Sequence, residues 1–262
     1  AVARRGRRRC RVLAGRRRRR RRPAAPVLAP TRARVDAHGG RVAVDTLVAE
    51  LVSAYPDISP VSIDAYLSTW AFVVRHGVVR RRGRGDSWPR VADPRTVRGV
   101  FCTADDVIRV VIPVDHELER GSGVRVHRAV AAAAGVRPRH QRTFSSPLGR
   151  MTLRWDVYSS AGPDVGSLRA YAQAADATAG DSLIVTLHLR RRTVDITRLR
   201  PSDPAADQLR ALLGPGADDP ARALAQALNC PPAEATDALR HRGDTHLAYL
   251  ISAPSHQLHS AP

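Results

Sequence analysis

The stretch that most constrains the fold is residues 42–84, where two different periodicities follow each other around a pair of prolines. Before the first proline, apolar residues recur three and four positions apart, at Val44, Leu47, Val48, Leu51, Val52 and Tyr55. This spacing predicts an amphipathic helix with one apolar stripe. Pro56 ends that helix, because proline lacks an amide hydrogen and clashes with the preceding turn.

A second helix is predicted over residues 60–69. Ser59 is a favourable capping residue and Pro60 suits the first helical position. The helical spacing places the apolar residues Ile63, Leu67 and Trp70 on the inner side. The outward face is then small and polar, with Ser62, Ala65, Ser68 and Thr69.

Residues 71–82 change to a β-prone pattern, in which FVV and VVR flank Arg75, His76 and Gly77. A glycine at this place is typical of a tight hairpin. Two helices followed by a basic hairpin form the order of a winged helix-turn-helix, which places a helix in the major groove and a wing on the phosphates. The hairpin region carries Arg75, Arg80, Arg81, Arg82, Arg84 and Arg90 against a single acid, Asp86.

The segment AYPDISPVSIDAYLSTWAFVVRHGVVRRR resembles the helix-turn-helix and wing of bacterial transcription-associated DNA-binding proteins. These include winged modules of the RNA polymerase delta-subunit type and sigma-factor-like proteins of actinobacteria. The resemblance implies that double-stranded DNA is bound through Ser62, Ser68, Thr69, Arg75, Arg80, Arg81, Arg82 and Arg84. The second helix offers hydroxyl groups rather than Arg, Lys, Asn or Gln, and its Asp64 repels phosphate. We therefore expect the wing to make the main contact.

Two other functions stay open at this point. Helix-turn-helix shapes also serve in protein docking, so the alternative is a non-enzymatic scaffold that docks on a larger complex such as RNA polymerase. The third is an enzyme built around residues 115–123, where Asp115, His116 and Glu117 are adjacent. Neighbouring side chains on an extended chain point to opposite faces, so a solvated polar loop is the favoured interpretation there.

The basic charge lies mainly at the beginning of the chain. Residues 1–34 hold 15 of the 43 basic residues and none of the 24 acidic ones. We expect residues 1–40 to be a disordered arginine-rich arm that adds salt-dependent affinity for nucleic acid. A mis-assigned gene start explains the same run equally well. All basic residues are arginine and none is lysine, which is typical of a very GC-rich genome.

Residues 41–262 predict an α+β chain that is divided into separate domains and linkers. A winged helix-turn-helix at 41–85 and a linker at 86–95 precede a small barrel-like domain at 96–200, built of hairpins and two helices. Residues 201–251 predict a small helical bundle that resembles a helix-turn-helix, and 252–262 a disordered tail. Residues 124–134 are predicted to be helical.

Common catalytic and cofactor motifs are missing from the sequence. It contains no GxxxxGK[ST], GxGxxG, HExxH or GxSxG, and Cys10, Cys102 and Cys230 have no metal-site spacing. We therefore expect no enzyme activity, cofactor or metal. The long apolar run needed for a membrane span is also missing, so we expect a cytoplasmic protein without a membrane partner. Trp88, in the basic linker, is a candidate for stacking on a base.

Overall fold

The computed structural model describes residues 28–159, 161–214 and 219–252. In these residues the chain is a mixed α+β protein with ten α-helices, so the α+β prediction is confirmed. The predicted tail at 252–262 lies outside the described residues except for Ser252, which ends a helix. The predicted arm at 1–40 lies outside them up to residue 27.

The N-terminal module, residues 28–90, contains three helices and a three-stranded antiparallel sheet of order β1-β3-β2. In chain order its elements are α1 (Leu28–Ala37), β1 (Arg41–Ala43), α2 (Val44–Ala54), α3 (Pro60–Leu67), β2 (Phe72–Arg75) and β3 (Val78–Arg81). The core under the sheet joins the apolar stripes of the helices, as the spacing predicts, through Leu47, Leu51, Ile63, Phe72 and Val79.

Helix α1 corrects the prediction of disorder up to residue 40. It turns Val35 into the core of the module, where that side chain is fully buried. Arg34 and His38 reach Glu50 on α2, at 3.5 and 2.8 Å. The sequence of α1 has no clear apolar stripe, since its two buried residues are Thr31 and Val35, so its spacing does not predict a helix.

The sheet domain, residues 94–199, forms an eight-stranded curled sheet of order β4-β5-β10-β11-β7-β8-β9-β6. A short 3₁₀ helix, Pro94–Thr96, opens it. Its strands are β4 (Val100–Ala104), β5 (Val107–Pro113), β6 (Gly123–Arg125), β7 (Gln141–Ser146), β8 (Gly149–Arg154), β9 (Asp164–Ser167), β10 (Ser182–His188) and β11 (Thr193–Leu199). Three local hairpins, β4–β5, β7–β8 and β10–β11, agree with the prediction of a domain built of hairpins, because each has a turn signal between β-prone runs.

One joint in this sheet differs from the others. Strands β11 and β7 run parallel, whereas every other described pairing in the sheet is antiparallel. They share a single register pair, Thr193 with Ser145, as β8 and β9 do with Arg154 and Asp164, while β10 pairs with β11 along seven residues. The amide of Ser145 also donates to the carbonyl of Arg192, at 2.8 Å. We call this joint the seam, because it connects a β4-β5-β10-β11 half with a β7-β8-β9-β6 half.

Three short helices accompany the sheet: α4 (His116–Glu119), α5 (Arg128–Ala133) and α6 (Arg169–Ala174). The prediction of one helix over residues 124–134 is wrong, because 123–125 form strand β6, which pairs antiparallel with β9. Strand β9 itself was not predicted. Such short strands depend on distant partners and leave little local pattern.

The C-terminal helices pack on the sheet and share a core with it. They are α7 (Ala205–Leu213), α8 (Pro220–Leu228), α9 (Ala235–Arg242) and α10 (Thr245–Ser252), with a 3₁₀ turn at Pro232–Glu234. Strand alternation sends Leu183 and Val185 of β10 to the inner core and Ile184 to the opposite side. There Ile184 and Phe101 contact the helices and complete a core whose other buried residues come from the helices themselves.

A buried ion pair reinforces this packing. The guanidinium of Arg242 lies 2.9 Å from the Asp244 carboxylate, donates to the carbonyls of Arg95 and Val100, and covers the ring of Phe101. Burial lowers the pKa of Arg242 and raises that of Asp244, even though the two charges favour each other's ionised form. The pair therefore fixes α9 against the start of the sheet domain.

Candidate nucleic-acid interface

Helix α3 packs one face on the core of the module and presents the other to solvent. Ser59 caps the helix, accepting a hydrogen bond from the amide of Ser62 at 3.2 Å. Ile63 and Leu67 face the module's core. The exposed face carries Val61, Asp64, Ala65 and Ser68.

The three hydroxyl residues predicted to contact DNA lie in different surroundings. Ser62 is half-buried and its hydroxyl is 2.9 Å from that of Ser59, while Ser68 is exposed and donates to the carbonyl of Ala65. Thr69 is buried and donates to the carbonyl of Tyr66 at 2.7 Å. The prediction that Thr69 faces outward is wrong, because α3 ends at Leu67 and the next turn directs Thr69 inward.

Arg80 is held within the hairpin region by an acid six residues later. Its two terminal nitrogens donate to the two carboxylate oxygens of Asp86, at 2.6 and 2.5 Å. Asp86 also accepts from the amide of Gly83 at 2.7 Å. The hydrogen bonds from Arg80 and Gly83 hold the pKa of Asp86 well below its ordinary value. Arg80 therefore stabilises the loop that follows β3.

Arg81 and Arg82 also have partners inside the protein. Arg81 forms an ion pair at 2.8 Å with Asp36 at the end of α1. The Nε atom of Arg82 donates to the carbonyl of Trp70 at 2.9 Å, and another nitrogen donates to the carbonyl of Ser87. Burial lowers the pKa of Arg82. Arg80, Arg81 and Arg82, which the sequence predicts to bind DNA, are thus engaged in contacts within the protein.

Arg75 and Arg84 remain as exposed charges of the predicted wing, with Arg90 beside them in the sequence. Arg75 lies at the tip of the β2–β3 hairpin, whose turn is His76 and Gly77. Within the described residues, the side chains of these three arginines have no hydrogen-bond or ion-pair partner. Their charges are therefore accessible to a ligand.

A concave surface lies between α3 and the segment after β3. Its volume is about 610 Å³, and Ser68, Arg75, Arg82 and Trp88 contribute to its walls. No local sequence signal indicates this groove, because its two sides come from separate segments that meet through the stacking of Trp70 and Trp88 and the hydrogen bonds of Arg82.

Trp88 is engaged within the protein, which corrects its interpretation as a free stacking side chain. Its ring stacks on that of Trp70, with centroids 6.0 Å apart and 18° between the planes. The guanidinium groups of Arg82 and Arg139 lie 5.3 and 5.7 Å from its centroid. The ring centroid of Trp70 also lies 5.0 Å from that of Trp155 in the sheet domain. We call these three side chains the tryptophan junction, because they join the N-terminal module to the sheet domain.

The candidate acid–base cluster does not converge in the structure. Asp115 caps α4 by accepting from the amide of Leu118 at 2.8 Å, and Glu117 accepts from the hydroxyl of Ser122 at 2.7 Å. In the part of the chain that the structure describes, no group of three or more His, Cys, Asp or Glu residues is arranged to hold a metal ion. The thiol of Cys102 is buried, which raises its pKa.

Comparisons with other proteins give no further assignment: no family model, curated protein or solved structure matches the chain. Among the helices described here, none has the length and apolar character required to cross a membrane.

Proposed function

We propose that the chain is a non-enzymatic, transcription-associated DNA-binding protein whose N-terminal module acts as a winged helix-turn-helix. The observation that carries the proposal is the order helix, strand, helix, helix, hairpin, with the sheet order β1-β3-β2 and an exposed outer side of α3. A short exposed helix followed by a hairpin with an arginine at its tip is a suitable arrangement for a groove and its flanking phosphates.

The charges that contact phosphate in this proposal are Arg75, Arg84 and Arg90. They are exposed, and Arg75 lies on the groove beside α3. Arg80, Arg81 and Arg82 have a structural role instead, since they hold the hairpin against Asp86, Asp36 and the carbonyl of Trp70. This assignment predicts that the hairpin is rigid before DNA arrives.

Sequence reading by α3 is weak in this proposal. The exposed face offers the Ser68 hydroxyl but also Val61 and the Asp64 carboxylate, and it lacks the Arg, Lys, Asn and Gln that form two-point contacts with bases. Binding then depends mainly on phosphate contacts, which are strongly sensitive to salt and indifferent to sequence.

The test is fluorescence anisotropy of the full chain with a labelled random-sequence DNA duplex over a range of salt concentrations. Changing Arg75, Arg84 and Arg90 to Ala is expected to lower the slope of log affinity against log salt by about 3, one for each lost phosphate contact. The matched control changes Arg120, Arg210 and Arg240 to Ala. These exposed arginines pair with acids on their own helices, so the net charge falls equally at distant places. Equal slopes for the two variants would contradict the proposal.

The alternative function, docking on a larger protein complex such as RNA polymerase, is favoured by one specific observation. Val61 on the outer face of α3 is 77% exposed, next to Asp64 and Ala65. An apolar side chain beside an acid is better suited to a protein surface than to a phosphate backbone. A complex that survives nuclease treatment and is lost in Val61→Glu would support docking over DNA binding.

A further inference from the structure

A second basic surface lies on the sheet domain and shares no lining residue with the groove beside the predicted wing. It is an open cleft of about 660 Å³ where the β10–β11 turn meets β7 and β8. None of the residues that line it is acidic; its polar walls include Arg142, Thr143, Ser145, Arg150, Arg191 and Arg192. We call it the basic cleft.

The sheet register brings these residues together. Ser145 pairs with Arg150 on β8 and, across the seam, with Thr193 on β11. Neighbouring strands are about 4.8 Å apart, so Arg150 and the turn that carries Arg192 lie on opposite sides of Ser145, roughly 10 Å from each other. Long arginine side chains at that separation can reach one ligand between them. No sequence motif marked this set, since it depends on a crossover pairing.

Three of these arginines have uncompensated charge. Arg150, Arg191 and Arg192 are exposed, and none of their side chains has a hydrogen-bond or ion-pair partner within the described residues. By contrast, Arg142 donates to the carbonyls of Ala134 and Leu189 and forms a fixed wall. Arg192 has a left-handed backbone, with φ of 55°, which is uncommon for a residue other than glycine. Like charges around one concavity repel each other, and an anion between them would relieve that repulsion.

The chemistry of the cleft indicates which anion fits. Guanidinium groups bind phosphate oxygens through paired hydrogen bonds, and the hydroxyls of Thr143 and Ser145 offer further donors on the same face. The cleft is open and larger than one phosphate requires, so it suits a chain of them. It has no aromatic ring on which a base could stack, which favours contact with the backbone over contact with bases.

We infer that the basic cleft binds the phosphodiester backbone of a nucleic acid without regard to sequence, as a contact separate from the one proposed for α3 and its hairpin. It lies on β7, β8 and the β10–β11 turn, and it uses none of the arginines of the N-terminal module. Each surface therefore adds its own phosphate contacts, and each can be removed alone.

The experiment measures binding of the full chain to a labelled single-stranded oligonucleotide and to a labelled duplex across a salt series. Changing Arg150, Arg191 and Arg192 to Ala is expected to lower the salt slope by about 3, or by about 2 if the ligand is single-stranded. The change at Arg120, Arg210 and Arg240 is the control of equal charge. Thermal unfolding verifies that each variant folds, and Ser145→Asp, which puts a negative charge into the cleft at an exposed position, is a second variant with the same expected direction.

Four results separate the possibilities. A slope that falls no more in the cleft variant than in the control would overturn the inference. Loss of binding to phosphatidylserine vesicles, with oligonucleotide binding unchanged, would also overturn it and would identify a lipid headgroup as the ligand. If the cleft variant lowers the slope and the Arg75, Arg84 and Arg90 variant does not, the inference stands while the function proposed for the N-terminal module fails. If the Arg75, Arg84 and Arg90 variant lowers the slope and the cleft variant does not, the inference fails while the function proposed for the N-terminal module stands.

Discussion

At the scale of single residues, the arginines of the hairpin region fall into two groups: those that are hydrogen-bonded to an oxygen of the protein and those that are not. Arg80 is bound by Asp86, and Arg81 by Asp36, which is 45 residues earlier in the chain. Arg75 has neither an acid nor a carbonyl as a hydrogen-bond partner within the described residues. The sequence predicts where positive charges are concentrated, but it does not predict which are already neutralised, because pairing depends on how the loop after β3 folds back and, for Arg81, on a distant helix.

The ion pair between Arg80 and Asp86 predicts a specific dependence of stability on pH. Since the folded state holds the pKa of Asp86 below its ordinary value, the carboxylate stabilises the fold above about pH 4, and this contribution is lost as the pH falls. Asp86→Asn should lower the melting temperature at pH 7, and the gap to the unmodified protein should shrink as the pH falls below about 4.

Circular dichroism at a series of pH values measures this gap. Asp57→Asn, at an exposed aspartate of the same module, is the matched control and should show a small gap throughout. A gap for Asp86→Asn that is independent of pH would contradict the role given to the pair.

At the scale of elements, the sequence predicts best what is encoded locally. The bounds of α2 and the presence of hairpins in the sheet domain follow from apolar spacing and turn residues. The misses have a common cause: α1, β6 and β9 are short or poorly apolar and depend on partners elsewhere. The basic cleft was missed for the same reason, since it needs the register of β7 with both β8 and β11.

The turn of the β2–β3 hairpin carries a testable conformational requirement. His76 and Gly77 both have positive φ, 49° and 73°, as a tight turn between twisted strands requires. Gly77→Ala should destabilise the protein by about 1–2 kcal/mol, because a side chain disfavours the left-handed region.

Urea unfolding gives this difference, with Gly85→Ala as its control. Gly85 has no neighbouring atom within 4 Å of an added Cβ and does not have the left-handed φ, so its change should stay within about 0.5 kcal/mol. Equal effects at the two glycines would show that the turn conformation is not what stabilises the hairpin.

At the scale of the whole molecule, the N-terminal module and the sheet domain are joined by aromatic packing. Trp70 lies between Trp88 and Trp155, and Val157 and Tyr158 of the sheet domain contact the core of the module. The guanidinium of Arg128 lies 5.1 Å from the centroid of the Trp70 ring. The predicted linker at 86–95 is therefore part of a packed interface, with Trp88 as its central side chain.

Trp88→Ala tests this interface. It should reduce stability by on the order of 2 kcal/mol, since it removes a stacked and half-buried ring. It should also reduce the near-ultraviolet circular dichroism that arises from the coupled tryptophans. Tyr249→Ala, at a side chain 69% exposed on α10, is the control and should change stability by no more than about 0.5 kcal/mol. An unchanged aromatic spectrum in Trp88→Ala would show that the junction does not form as described.

The single register pair between β11 and β7 has a consequence for how the sheet domain behaves as a unit. Strands linked along seven residues separate only at high cost, whereas a joint with one paired position has little backbone hydrogen bonding to hold it closed. The basic cleft spans that line, so a polyanion seated in it touches both halves at once. Because such a ligand binds only the closed sheet, its binding raises the free energy that is needed to open the sheet along the seam.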